Sequence, residues 1–144
     1  MELRQLRTEQ ESQTVLQLFE TIRSGDYIRA SRRLDGIPDV LSATEIEKRL
    51  SQEDLHVILR LVFTWEALGV RVYRRDVSSE WVNEMLRYNI LRSWDKLSPL
   101  AYAEREQAGY DGLWEWHEWL ADRLRELDQE ALVPAYEAHA NWAP

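Results

Sequence analysis

Between residues 52 and 69 lies a stretch that leaves almost no polar face. Leu55, Val57, Ile58, Leu59, Leu61, Val62 and Phe63 go round nearly the whole circumference of a helix. A helix that is apolar all round must be surrounded by other helices, since water would otherwise meet its side chains on one side or another. The stretch therefore predicts a central helix over about 52–69 in an all-α fold, a compact bundle of about six to seven helices. Ser51 caps it, Glu53 and Asp54 suit the positive end of its dipole, and Gly69-Val70 marks its end. The alternation of Val70 and Val72 could mark a strand, but no second strand is available to pair with it.

Apolar spacing and stop signals divide the rest of the chain. Val15, Leu18, Phe19 and Ile22 share one helix face that ends near Ser24-Gly25. Residues 7–14 ahead of them carry no large apolar side chain, so about 1–14 reads as a polar helical extension or a frayed end. Tyr27, Ala30, Ser31 and Leu34 make a short helix that stops at Asp35-Gly36. Ser42 and Glu45 form a capping box for another, to about Leu50. Ser78 or Ser79 caps a fifth, with Trp81, Val82, Met85 and Leu86 inward and a break at Asn89. Ile90, Trp94, Leu97 and Ala101 then share a face that runs past Pro99 to about Gln107 as one bent element, stopped by Gly109. The alternative is that Ser98-Pro99 opens a new helix. Asp111 caps a last long helix presenting Leu113, Trp116, Leu120, Leu124 and Leu127. A tail over about 128–144 holds Leu132, Pro134, Tyr136 and Trp142. No repeat or linker divides residues 1–144, which read as one domain.

The chain has no cysteine, which removes disulfides, thiolate nucleophiles and cysteine-held zinc together and fits a reducing compartment. No apolar run reaches the length of a membrane span, and the first residues are polar, so the expectation is a soluble cytoplasmic protein. The net charge of −8 is unevenly spread: residues 104–144 hold three basic against ten acidic side chains. That surplus would repel phosphate backbones. A nucleic-acid regulator would have to use Arg29, Arg32 and Arg33 together with Arg71, Arg74 and Arg75 on one face. Solvated helix faces are the simpler account of both clusters, and nucleic acid is disfavoured as a partner.

Glu66 is the residue most out of place. Helical spacing sets it beside Leu59, Val62, Phe63 and Val70, where an unpaired carboxylate would cost several kcal/mol or take up a proton. It needs an arginine, a hydroxyl or an indole N–H. Such a group could serve as an acid or base in a pocket, but no nucleophile, histidine or second carboxylate accompanies it in sequence. A structural role in fixing helix register is the reading preferred. His117-Glu118-Trp119-Leu120-Ala121 resembles a zinc-protease helix but has alanine where the second histidine must stand, so that reading fails. His56 and His139 are isolated in sequence, and no phosphate loop or nucleophile elbow occurs. No metal, cofactor or catalytic residue is expected.

Seven tryptophans are present, three of them within Trp114-Glu115-Trp116-His117-Glu118-Trp119. Trp116 falls on the core stripe and Trp119 near its edge. At about 100° per residue, all three cannot face one core. Tryptophan is enriched at binding hot spots, which makes Trp114, Trp119, Tyr136 and Trp142 the candidate interface. The alternative is that the tail folds back over this helix.

Glu66, Gly69, Val70, Trp94, Pro99 and Arg105 follow the motif order of an uncharacterised bacterial helical family, a domain of unknown function, which the chain resembles over about residues 50–127. Some members of that family carry an N-terminal membrane helix, whereas this chain opens in polar residues. The resemblance implies no activity. It implies a buried polar cluster in which Arg105 is the counter-charge of Glu66, with Trp94 packed beside them. The expectation is a non-catalytic protein–protein interaction or regulatory module, bacterial and cytoplasmic, with self-association as one form of it. A small-molecule-binding or hydrolytic enzyme with a pocket around Glu66 is the alternative.

Overall fold

A computed structural model describes residues 2–127 and 133–144, so Leu132 of the tail lies outside the described residues. The described chain is all-helical, with seven helices: α1 (Glu2–Ile22), α2 (Gly25–Asp35), α3 (Ala43–Arg49), α4 (Gln52–Tyr73), α5 (Ser79–Ala108), α6 (Glu115–Glu126) and α7 (Ala135–Ala138). Four helix starts follow local side-chain chemistry. The hydroxyls of Ser24, Ser42, Ser51 and Ser78 accept main-chain N–H groups in the first turns of α2, α3, α4 and α5, and Ser42 with Glu45 completes the expected capping box.

Three boundaries differ from the sequence expectation. The central helix runs four residues past Gly69, to Tyr73, because Val72 still has a core to enter. Asn89 does not break α5, which continues as one helix of 30 residues through Pro99. Proline leaves the carbonyl four residues earlier without its donor; here that carbonyl belongs to Asp95, and the Ser98 hydroxyl lies 3.5 Å from it. Asp111 caps nothing. The last long helix begins at Glu115, after a left-handed Trp114 with no side-chain cap.

α4 is the axis of the bundle. α2 packs on one side of it and α6 on another, while α6 also packs along α5 and α3 along α5. The core holds Val57, Ile58, Leu61, Val62, Trp65 and Leu68 of α4, Ile90, Trp94, Leu97 and Leu100 of α5, and Leu120, Ala121 and Leu124 of α6. α4 is nevertheless not enclosed on every side. Phe63 is 71% exposed, on the rim of a groove between α1 and α4 that Thr14, Gln17, Leu18 and Thr21 also line. Residues 2–10 of α1 are exposed throughout, a helical extension and not a frayed end.

Charges from neighbouring helices hold the helix ends. Asp54 in the first turn of α4 accepts from Arg29 at 3.1 and 3.2 Å and from Arg33 at 3.2 Å, which ties α2 to α4. Lys96 of α5 donates to the carbonyls of Leu34, at 2.9 Å, and Ile37, where α2 ends. Arg87 donates to the Leu124 carbonyl in the last turn of α6. Lys96 and Arg87 thus sit at the negative ends of the α2 and α6 dipoles.

Gly69 sets how closely α4 and α6 approach. A Cβ there would lie 2.6 Å from the Trp116 carbonyl oxygen and 3.0 Å from the Trp116 Cβ. Ala is the better helix former by about 1 kcal/mol, but the clash is with backbone that cannot swing aside. Gly69→Ala is therefore expected to lower the unfolding free energy by about 1–3 kcal/mol, measured by urea denaturation; a stabilised variant would show that α6 can move away at no cost.

Candidate functional site

The site is the joint where α4 meets the start of α6. A helix opens with four main-chain N–H groups that have no partner within it, and its first turn carries partial positive charge. α6 meets this need from outside itself. Glu66, one turn before Gly69 on the same face of α4, accepts the His117 N–H on its Oε1 at 2.6 Å and also takes a hydrogen bond from the Trp116 main chain. Gly69 makes room and Glu66 makes the bond, so the two act as one docking face.

This corrects the expected ion pair. Arg105 forms no salt bridge with Glu66. It donates to Glu118 at 2.8 Å and to the Leu113 carbonyl at 2.7 Å, pinning the turn before α6 and its first turn. The expected cluster of Glu66, Arg105 and Trp94 does gather at one place, with the start of α6 between its members. The Arg105 guanidinium lies 5.9 Å from the Trp94 ring and 5.4 Å from the Tyr102 ring. Trp94 meets the His117 ring edge-on at 5.3 Å. Burial raises the Glu66 pKa from its ordinary value, with the main-chain hydrogen bonds and Arg105 opposing and Glu115 reinforcing.

His117 is the site residue that sequence reasoning missed. It is fully buried, one position after the stripe expected through Trp116. Its Nε2 is 3.3 Å from the Ile90 carbonyl and 3.3 Å from the Ser93 hydroxyl, and its Nδ1 has no hydrogen-bond partner. Burial pushes its pKa down to about 4, against a weaker upward pull from the Ile90 carbonyl. The signal was present in the spacing of His117, Leu120, Ala121 and Leu124, which share one helix face. Ser93 and His117 together resemble a nucleophile and its base. The Ser93 hydroxyl, however, donates to the Asn89 carbonyl at 2.8 Å and is 1% exposed, out of reach of any substrate.

The candidate interface residues part company. Trp114 is buried, not a surface residue; its indole fills the core beneath the left-handed turn. Trp116, expected in the core, is only partly buried. With Trp119 and Tyr73 it forms a three-ring cluster with centroids 5.2 to 6.0 Å apart, and the Arg123 guanidinium lies 5.8 Å from the Trp119 ring. Tyr136 and Trp142 are 76% and 73% exposed, so the described part of the tail does not fold back over α6. Among the described residues no His, Cys, Asp and Glu gather to hold a metal, and no helix is long and apolar enough to cross a membrane.

Fold and site together define an all-helical bundle whose most misplaced charge seats one helix against another. Over residues 1–124 the chain matches the family described as Domain of unknown function (DUF4760), and it belongs to that family. The match reaches well upstream of the stretch that carries the short motifs and takes in α1. No curated protein and no solved structure matches the chain.

Two outcomes follow at this joint. Glu66→Ala removes the side chain that caps α6 and should lower stability by about 1–2 kcal/mol at pH 7, with Glu66→Gln, which keeps an acceptor oxygen, falling in between. Because His117 binds its proton more weakly folded than unfolded, its contribution is complete above pH 6.5 and is lost as pH falls through about 4. The loss totals on the order of 3 kcal/mol. The raised Glu66 pKa acts in the opposite sense, stabilising the fold below its ordinary value. Denaturation of the wild type and His117→Gln from pH 7 to 4 should therefore diverge; parallel curves would mean that the imidazole titrates normally.

Proposed function

We propose that this protein is a non-catalytic helical interaction module that works by binding another protein or a second copy of itself. What carries this reading is the cluster of exposed Tyr73 with the partly buried Trp116 and Trp119 over the α4–α6 joint. Tyr73 is 61% exposed, and its neighbours are fixed by the most constrained contact in the fold. Rigid aromatic rings on a preorganised backbone lose little entropy when covered, which is why they dominate binding hot spots. A cysteine-free chain suits a reducing compartment, and the proposal places the protein in the bacterial cytoplasm.

The alternatives find less support. An enzyme built on Glu66 needs that carboxylate in a ligand-sized hollow. Grooves of about 410 Å³ at the α1–α2–α4 seam and about 590 Å³ beside Tyr88, Arg92 and Lys96 do not include it. A nucleic-acid surface needs both arginine clusters on one face. Arg29 and Arg33 are tied to Asp54 at the start of α4, while Arg71 lies 17 residues further along the same helix, about 26 Å away.

A photo-crosslinking amino acid in place of Trp119 tests the reading in living cells. Specific products, to one protein or to the chain itself, should form from position 119 and vanish when Tyr73→Ala and Trp116→Ala are added. Crosslinks no more specific than those from the exposed Arg32 position on α2 would end the proposal. Sedimentation velocity distinguishes the homodimer from a foreign partner.

A further inference from the structure

The longest described helix keeps one face in water. α5 packs along α6 and α3 and turns Val82, Leu86, Ile90, Leu97 and Leu100 into the core. Its opposite side carries Met85, Tyr88, Arg92, Asp95, Pro99 and Tyr102, at alternating steps of three and four residues. That spacing draws a straight seam along a helix, the kind that a second helix covers. Met85, Tyr88, Asp95 and Tyr102 are exposed, and Arg92 and Pro99 are partly so. The groove of about 590 Å³ beside Tyr88 and Arg92 lies over the middle of the seam, where Leu91 and Asp95 also line it. The seam is recessed there and can receive a ridge of side chains.

This seam is its own complement. Turned end for end about a point midway between Ser93 and Trp94, a second α5 sets its Tyr102 against Met85, its Pro99 against Tyr88 and its Asp95 against Arg92. The two-fold axis then repeats each contact. The outer layers join a thioether to an aromatic ring and an aromatic ring to a proline, both apolar contacts. The two central layers join opposite charges. In a parallel pair Arg92 would face Arg92 and Asp95 would face Asp95, so the charges select the antiparallel direction. Arg92 lies over the Tyr88 ring, its guanidinium 5.4 Å from the centroid, and pairs with Asp35, while Asp95 pairs with Arg125. Neither pair is closed off: a guanidinium has five N–H donors and a carboxylate accepts more than one. The central layers add bonds to side chains already held in place.

We propose that two copies of this chain associate through α5, packed antiparallel from Met85 to Tyr102, with Arg92 of each copy meeting Asp95 of the other. The contact is about 25 Å long. Charge favours a second copy over a foreign helix, because one stripe supplies both halves of every central layer. The inference takes up the second-copy form of the proposed function. None of its residues belongs to the Tyr73–Trp116–Trp119 cluster, so either reading can fail without the other.

Sedimentation velocity of the full chain reads the pairing. Arg92→Glu alone and Asp95→Arg alone each set like charges in both central layers, and each should raise the dimer dissociation constant about 10-fold or more. An equimolar mixture of the two variants should dimerise again, because every central layer then joins opposite charges. A wild-type chain still monomeric at about 1 mM, single variants that dimerise as the wild type does, or a mixture no better than its components overturns the pairing. A dimer lost in Tyr73→Ala with Trp116→Ala and kept in Arg92→Glu also overturns it, and seats the second copy on the aromatic cluster instead. Should the charge variants fail to fold, the cysteine-free chain permits a covalent test. Met85→Cys and Tyr102→Cys in one chain should give a disulfide-linked dimer on mild oxidation. Either substitution alone should not, since like positions stand about 25 Å apart across the pair. A double variant that crosslinks no better than the single ones overturns the pairing.

Discussion

The Glu66 carboxylate beneath the first turn of α6 is the contact on which the architecture turns. A helix start offers unpaired N–H donors and partial positive charge, and a half-buried carboxylate offers acceptors and negative charge. Each would be costly left alone, and together they make one joint. Gly69, one turn further along α4, removes the side chain that would keep the two backbones apart. Arg105 completes the arrangement by holding the Leu113 carbonyl and Glu118, so the turn into α6 is fixed from α5 while the helix start is fixed from α4.

The opposite end of α6 follows the same logic with the sign reversed. Arg87 of α5 meets the Leu124 carbonyl, as Lys96 meets the last carbonyls of α2. Burial and the nearby Arg92 lower the pKa of Lys96, which nevertheless stays in place because two main-chain carbonyls accept its hydrogen bonds. Charged side chains that look like surface decoration in a linear reading thus serve as ties between helices. This geometry commits most of them: Arg29 and Arg33 of α2 pair with Asp54, Lys96 and Arg87 of α5 meet main-chain carbonyls, and Arg105 of α5 pairs with Glu118.

Much of the fold was legible because it depends on local rules. Ser42 with Glu45, and Ser51 and Ser78, announce helix starts through contacts three residues away. Glu66 could be singled out as a charge in need of a partner because burial of a lone carboxylate is costly wherever it occurs. Its partner could not be named. Every residue carries a main-chain N–H, so a helix start leaves no side-chain signature, and an arginine of the right spacing looked like the better match. His117 was hidden by phase. A stripe through Trp116 and one through His117 differ by a single residue, and the choice depends on whether the helix begins near Asp111 or at Glu115.

By itself, then, the sequence determined the class of fold, the central helix and the one charge that had to be resolved inside the bundle, since periodicity, capping and desolvation act over a few residues and need no distant partner. Tertiary structure alone decided what resolves that charge, which face of α6 points inward and which tryptophans of the Trp114–Trp119 run enter the core. Those outcomes depend on the approach of two backbones remote in sequence, set by the missing side chain of Gly69 and by main-chain groups that no residue type reveals.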